Sequence, residues 1–173
     1  MQPPEAIVLR DAYVAQFKSE LPATLRVLAC VPADRSTYTP DAKSMTAIDL
    51  AWHIASSEAW FLNGIATGQF NWDPEAAKRP AAFTSGADVV AWYEPAFAKG
   101  IAQVEASSGE HLLTEVDFAG KVPLVDLLSF AMRHSIHHRG QLSAYLRPMG
   151  SKVPSIYGPS GDDPKNASSE AAA

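Results

Sequence analysis

Cysteine is almost missing: Cys30 is the only one in 173 residues, so no disulfide can close within the chain and a reducing compartment fits best. Positive charge is also scarce, with 14 Lys and Arg against 19 Asp and Glu and a formal charge of −5. That balance offers phosphates no basic footprint, and nucleic acid is not an expected partner. No apolar run approaches the roughly 18 residues of a membrane span. The stretch from Met1 to Glu5 lacks a basic region leading into an apolar one, so no signal peptide is expected. Together these absences predict a soluble, cytoplasmic protein with no membrane partner.

Apolar residues make up 47% of the chain and charged ones 19%, a globular and not a disordered balance. The length suits one domain with a single core, placed at residues 1–160. From Gly161 the chain turns small and polar, and residues 161–173 read as a disordered C-terminal tail.

Helical periodicity dominates the rest. From Glu5 to Val31, Leu9, Tyr13, Phe17, Leu21, Leu25 and Leu28 recur at threes and fours; Pro22 predicts a kink or restart there, and Pro32 a stop. Residues 32–43 read as an extended connection. Thr46 with Asp49 predicts the cap of a second helix, whose interior face carries Leu50, His53, Ile54, Ser57, Trp60, Phe61 and Gly64. Residues 68–84 form a long loop whose Phe70, Trp72 and Phe83 predict packing over the core, as a plug or as a lid. Ser85 with Asp88 caps a third helix, from Gly86 to about Ser107, bent at Pro95 and buried through Val89, Tyr93, Phe97, Ile101 and Val104. Residues 108–122 read as a connection, with His111 at the surface. A fourth helix runs from near Pro123 to about Arg147. Its outward side carries Ser129, Met132, Ile136, Gly140 and Ser143, small and apolar enough for a second copy of the chain or a covering loop to approach. Four such helices and no convincing strand predict an all-α four-helix bundle.

Three of the five histidines fall within residues 134–138. His134 and His138, four apart, share a helix face with Leu124, Leu127, Ala131, Leu142 and Tyr145; His137 lies at its edge. Imidazoles on an interior face either find ordinary hydrogen bonds or hold a metal ion. The spacing is that of the H-E-x-x-H motif, but Ser135 stands where that motif has its general base. His53, on the second helix, supplies a third interior imidazole. A three-histidine set leaves coordination positions open, as in catalytic zinc sites, and suits zinc, nickel or iron. Asp49 and Glu58 are the nearby carboxylates, each readable as a general base or as a helix cap or surface charge. Cys30 reads as a small buried apolar residue.

The spacing of His53 to His134-x-x-x-His138 and the string His137-His138-Arg139-Gly140-Gln141-Leu142 resemble the DinB family of damage-inducible, metal-dependent bundle proteins. So do Leu146-Arg147-x-x-Gly150-x-x-Val153-Pro154 and the closing Tyr157-Gly158-Pro159-Ser160. The similarity spans about residues 5 to 160. It implies a DinB/YfiT-like four-helix bundle running up-down-down-up, often a homodimer, in which His53, His134 and His138 bind zinc, nickel or a similar divalent cation. It also implies that Arg139 and Gln141 hold the helix and adjacent loops. The function that follows is a metal-dependent enzyme acting on a small molecule, a transferase of a low-molecular-weight thiol or a hydrolase, with Trp72 bordering the substrate. The alternative is a non-catalytic metal-binding stress-response protein or dimeric scaffold. No catalytic side chain and no organic cofactor is assigned.

Overall fold

The computed structural model describes residues 1–75 and 77–163. In chain order its elements are α1 (Pro3–Ala29), a 3-10 turn (Ala33–Arg35), α2 (Ala47–Thr67), α3 (Gly86–Glu105), α4 (Gly109–Leu112), β1 (Glu115–Asp117), β2 (Lys121–Pro123) and α5 (Leu124–Leu146). The four long helices follow the apolar periodicity. The hairpin does not: β1 and β2 pair antiparallel with Val116 opposite Val122, where only a helical fold without strands was expected. A three-residue strand is too short to show an alternating pattern, which is why the sequence hid it.

Helix α2 packs along both α3 and α5, and α1 packs along the same two helices. The core between them holds Phe17, Leu28, Ile54, Leu62, Tyr93, Leu128 and Leu142, each at most 1% exposed. Burying a Leu, Ile or Phe side chain is worth about 1.5–3 kcal/mol relative to leaving it in water. Because α5 lies against α1 as well as α2, its buried arc is wider than the single stripe seen in the sequence. Met132, expected on the outward side, is therefore buried along with Leu128, Ser135 and Arg139.

Local chemistry sets the helix ends. The hydroxyl of Thr46 accepts from the Asp49 amide at the start of α2, and Ser85 and Asp88 form a reciprocal box at the start of α3. Gly68 ends α2 in the left-handed region at φ 74°, where a side chain would be strained. Gly86 allows α3 to begin against the end of α1, since a Cβ there would lie 1.8 Å from the Leu28 carbonyl oxygen. Pro22 and Pro95 sit on exposed sides of α1 and α3, and neither divides its helix. The restart expected at Pro22 is absent, and both Pro22 and Lys18, whose carbonyl loses its donor, are exposed. Helix α5 begins at Leu124, with Pro123 as its cap residue.

After α5 the chain folds back through Val153 to Asp163. Asp162 accepts from the Val153 amide at 2.8 Å and from Arg147 at 3.0 Å, while Asp163 accepts from the Ser160 amide and the Ser155 hydroxyl, both at 2.7 Å. Those bonds order residues 161–163, which the composition had placed in the tail; residues 164–173 lie outside the described residues. No described helix is long and apolar enough to cross a membrane.

Candidate metal centre

His53 on α2 meets His134 and His138, one turn apart on α5. Their ring centroids lie 5.0 Å (His53 to His134), 4.5 Å (His53 to His138) and 4.4 Å (His134 to His138) apart. One nitrogen from each ring falls within 4.8 Å of the other two, so the group could hold a metal ion. The interior faces of two packed helices thus bring together all three histidines singled out in the sequence. His137, by contrast, is exposed and outside the group, its ring 4.9 Å from that of His138.

Two of the rings are held by neighbours on their own helices. Gln141, three residues on, accepts from Nδ1–H of His138 at 2.7 Å, which places the proton on Nδ1 and leaves Nε2 its lone pair. Ser57, four residues after His53, lies 3.2 Å from its Nδ1. Side chains three and four apart share a helix face, so this spacing was the available signal for both partners. Gln141 therefore orients the His138 ring.

The third ring is different. Nδ1 of His134 is buried and has no hydrogen-bond partner among the described residues. Leaving a buried polar atom unpaired costs about 1–3 kcal/mol. Phe61 and Phe130 wall the ring, with centroids 5.5 and 6.3 Å away. Burial, reinforced by the charges His138, His53 and His137 would carry, pushes the His134 pKa down to about 4. Burial also lowers His53, with His138 adding to the effect. For His138 burial again dominates, and the hydrogen bond to Gln141 opposes it without cancelling it. All three imidazoles are neutral near pH 7, the state a metal requires.

The carboxylates behave differently from a general base. Glu58 is fully buried and accepts from the Tyr93 hydroxyl at 2.8 Å and from Ser135, facing the core. Burial raises its pKa against those hydrogen bonds. Asp49 lines a cavity of ≈ 500 Å³ together with His53, Trp52, Trp72 and Arg79. Burial pushes Asp49 up, but hydrogen bonds from Thr46 and Arg79 and the Arg79 charge hold it below the usual range. Trp72 and His53 line this same cavity.

Of three further residues, Arg139 does what the resemblance implies, while His111 and Cys30 depart from the sequence reading. Arg139 is 2% exposed, paired with Glu20 at 2.6 Å and bonded to Thr24 and Tyr157, so it does tie α5 to α1 and to the closing loop. His111 is half-buried instead of superficial: its Nε2–H donates to the Ile65 carbonyl at 2.9 Å, satisfying an orphan acceptor in the last turn of α2. Cys30 is only partly buried, and that burial raises its thiol pKa, which disfavours a reactive thiolate.

Known proteins resemble this chain in sequence and fold. A model of the DinB family matches residues 7–170. The uncharacterized protein YjoA of Bacillus subtilis (strain 168) is 33% identical over 141 residues, covering 79% of this chain and 88% of that protein. The uncharacterized protein YrdA of the same organism is 26% identical over 156 residues, covering 88% and 90%. The crystal structure of the DinB-like YjoA superposes with a TM-score of 0.68 at 31% identity, over 85% of this chain and 99% of that one. A DinB-like protein from Bacillus cereus ATCC 10987 superposes at 0.71 and 22% identity, over 85% and 97%, and so shares the fold. With the histidine group in its helices and this match along most of its length, the chain belongs to the DinB family.

Proposed function

We propose that this protein is a cytoplasmic metal-dependent enzyme, a transferase of a low-molecular-weight thiol or a hydrolase, in which His53, His134 and His138 bind one divalent cation, zinc or nickel. The observation that carries the reading is the set itself: three neutral imidazoles converge, one with a buried nitrogen unpartnered among the described residues, and His53 also lines a cavity of ≈ 500 Å³. Among the described residues no carboxylate or thiol joins the group. A protein donor set of three leaves room for a further ligand, as catalytic sites do and saturated structural sites do not. A divalent cation there supplies Lewis acidity, which lowers the pKa of a thiol or water or polarises a carbonyl.

The chain's own residues do the rest. Gln141 and Ser57 fix ring orientation, Phe61 and Phe130 keep water from one side of His134, and the loop carrying Trp72 forms a wall of the cavity beside His53. Glu58 takes no part in proton transfer from the cavity, being sealed in the core. The proposal extends to an up-down-down-up run of the four helices and to a homodimer through the exposed face of α5, where Gly140 has open space beside it.

The test is elemental analysis of untagged protein, wild type and His53→Ala. One equivalent of zinc or nickel that the substitution removes supports the site and directs assays to thiol transfer and hydrolysis. No metal after reconstitution with several cations overturns the reading. A cation bound without any exchangeable position would instead support a non-catalytic metal-binding protein.

A further inference from the structure

All four tryptophans of the chain line one cavity of ≈ 270 Å³. Trp52 and Trp60 come from α2, Trp92 from α3 and Trp72 from the loop between them. They stand as two pairs, Trp52 against Trp92 with centroids 4.6 Å apart and Trp60 against Trp72 at 5.7 Å. The loop closes over them because the indole N–H of Trp52 donates to the Ala77 carbonyl at 2.9 Å and that of Trp60 to Asn71 at 3.0 Å. Two of the polar indole edges are therefore engaged by backbone.

Charge decides what such a cavity takes. Its single charged lining residue is Asp73, which has no ion-pair partner among the described residues. One oxygen of Asp73 accepts the Glu75 amide at 2.9 Å. Lys78 and Arg79 line the adjoining cavity and are already paired, with Glu75 at 2.6 Å and Asp49 at 2.7 Å. An anion would find no cation here. The faces of aromatic rings carry negative potential and attract cations, tryptophan most strongly. A primary ammonium would still want hydrogen-bond acceptors for its three N–H groups, whereas a quaternary one gives up none on leaving water.

We propose that this tryptophan cavity binds a quaternary or fully methylated ammonium group, with Asp73 as its counter-ion. The cavity shares Trp52, Ser56 and Trp72 with the one that contains His53, and its Ser57 touches the His53 ring. A molecule anchored by its ammonium extends from there toward the three histidines. That role as a substrate anchor rests on the metal-enzyme reading; the binding itself does not.

The experiment titrates choline into the full-length, EDTA-treated protein and follows the four indole N–H signals by two-dimensional NMR. The control is 3,3-dimethylbutan-1-ol, the uncharged analogue of the same shape. Saturable shifts with choline are expected, with the neutral alcohol binding about tenfold more weakly or worse. Trp72→Ala, at a side chain 59% exposed and therefore tolerant of truncation, should weaken choline binding by about tenfold. Asp73→Asn should weaken it by about threefold and reduce its salt dependence. Equal binding of the neutral alcohol, or no saturable shift with choline, overturns the proposal. Because the titration is done without metal, an empty histidine site would leave it unaffected, and failure of the cavity would leave metal content unaffected.

Discussion

Ser135 donates its hydroxyl to the Glu58 carboxylate, which pins α5 to α2 at the residue beside His134. Tyr93 donates to the same carboxylate from α3, so three helices meet on one buried acid. Ser135 occupies the position that the metalloprotease motif gives to its catalytic Glu. One residue along the helix from His134, it points about 100° away and serves the core. The histidines can converge only if α2 and α5 keep their register, and this contact is placed to hold it.

Removing the acceptor should therefore be costly. In Glu58→Ala two hydroxyls lose their acceptor in a dry core and a void opens, for an expected loss of about 2–4 kcal/mol. Glu58→Gln keeps an acceptor oxygen and should lose less than half of that. Urea unfolding of the two variants checks the order. Equal stability of Glu58→Ala and wild type would mean that the three-helix contact contributes nothing.

Gln141 makes a separate prediction, because it bonds the His138 ring and is itself exposed. Gln141→Leu removes the acceptor that holds the Nδ1 proton of His138 while leaving the helix intact. Metal affinity should fall by about 10–100-fold, the usual effect of losing a hydrogen bond behind a ligating histidine. The metal-free melting temperature should stay close to that of wild type. Competition with a chromogenic chelator measures the first and calorimetry the second; an unchanged affinity would show that the ring is oriented by packing alone.

Much of this centre was visible in the spacing of residues. His134 and His138 are four apart on an apolar stripe, and any helix through Leu124 and Leu142 must turn both inward. His53 was legible for the same reason on α2. What spacing could not show was the width of burial on α5: one stripe predicts one neighbouring helix, whereas α5 packs on both α1 and α2, which is why Met132 lies deeper than expected. Contacts between segments distant in the chain, such as His111 with Ile65 or Tyr93 with Glu58, leave no periodic trace at all. The hairpin at residues 115–123 escaped because its strands are shorter than the pattern that reveals strands.

Metal should stabilise the folded chain, since the three imidazoles converge only when α2 and α5 are packed. At free zinc about 100-fold above the dissociation constant the gain is about 2.7 kcal/mol, which for a chain of this size raises the melting temperature by roughly 5–10 °C. His134→Ala should abolish the zinc-dependent rise. A rise that survives the substitution would place the cation elsewhere.

Acid should act on the same three residues. Folded His134 has its pKa lowered from 6.5 to about 4, and burial lowers His53 and His138 in the same direction. Between those two values the unfolded chain binds a proton that folded His134 refuses, so the stability of metal-free protein rises with pH across that window. The contribution is complete above about pH 6.5 and is lost as the pH falls toward 4. His134→Ala removes the residue with the largest resolved shift of the three, and its urea midpoint should fall less between pH 7 and 5 than that of wild type. With zinc present the wild-type curve should steepen, because protons now displace the cation as well. Parallel midpoints for wild type and variant in metal-free buffer would mean that His134 takes up its proton in the folded protein as readily as in the unfolded chain.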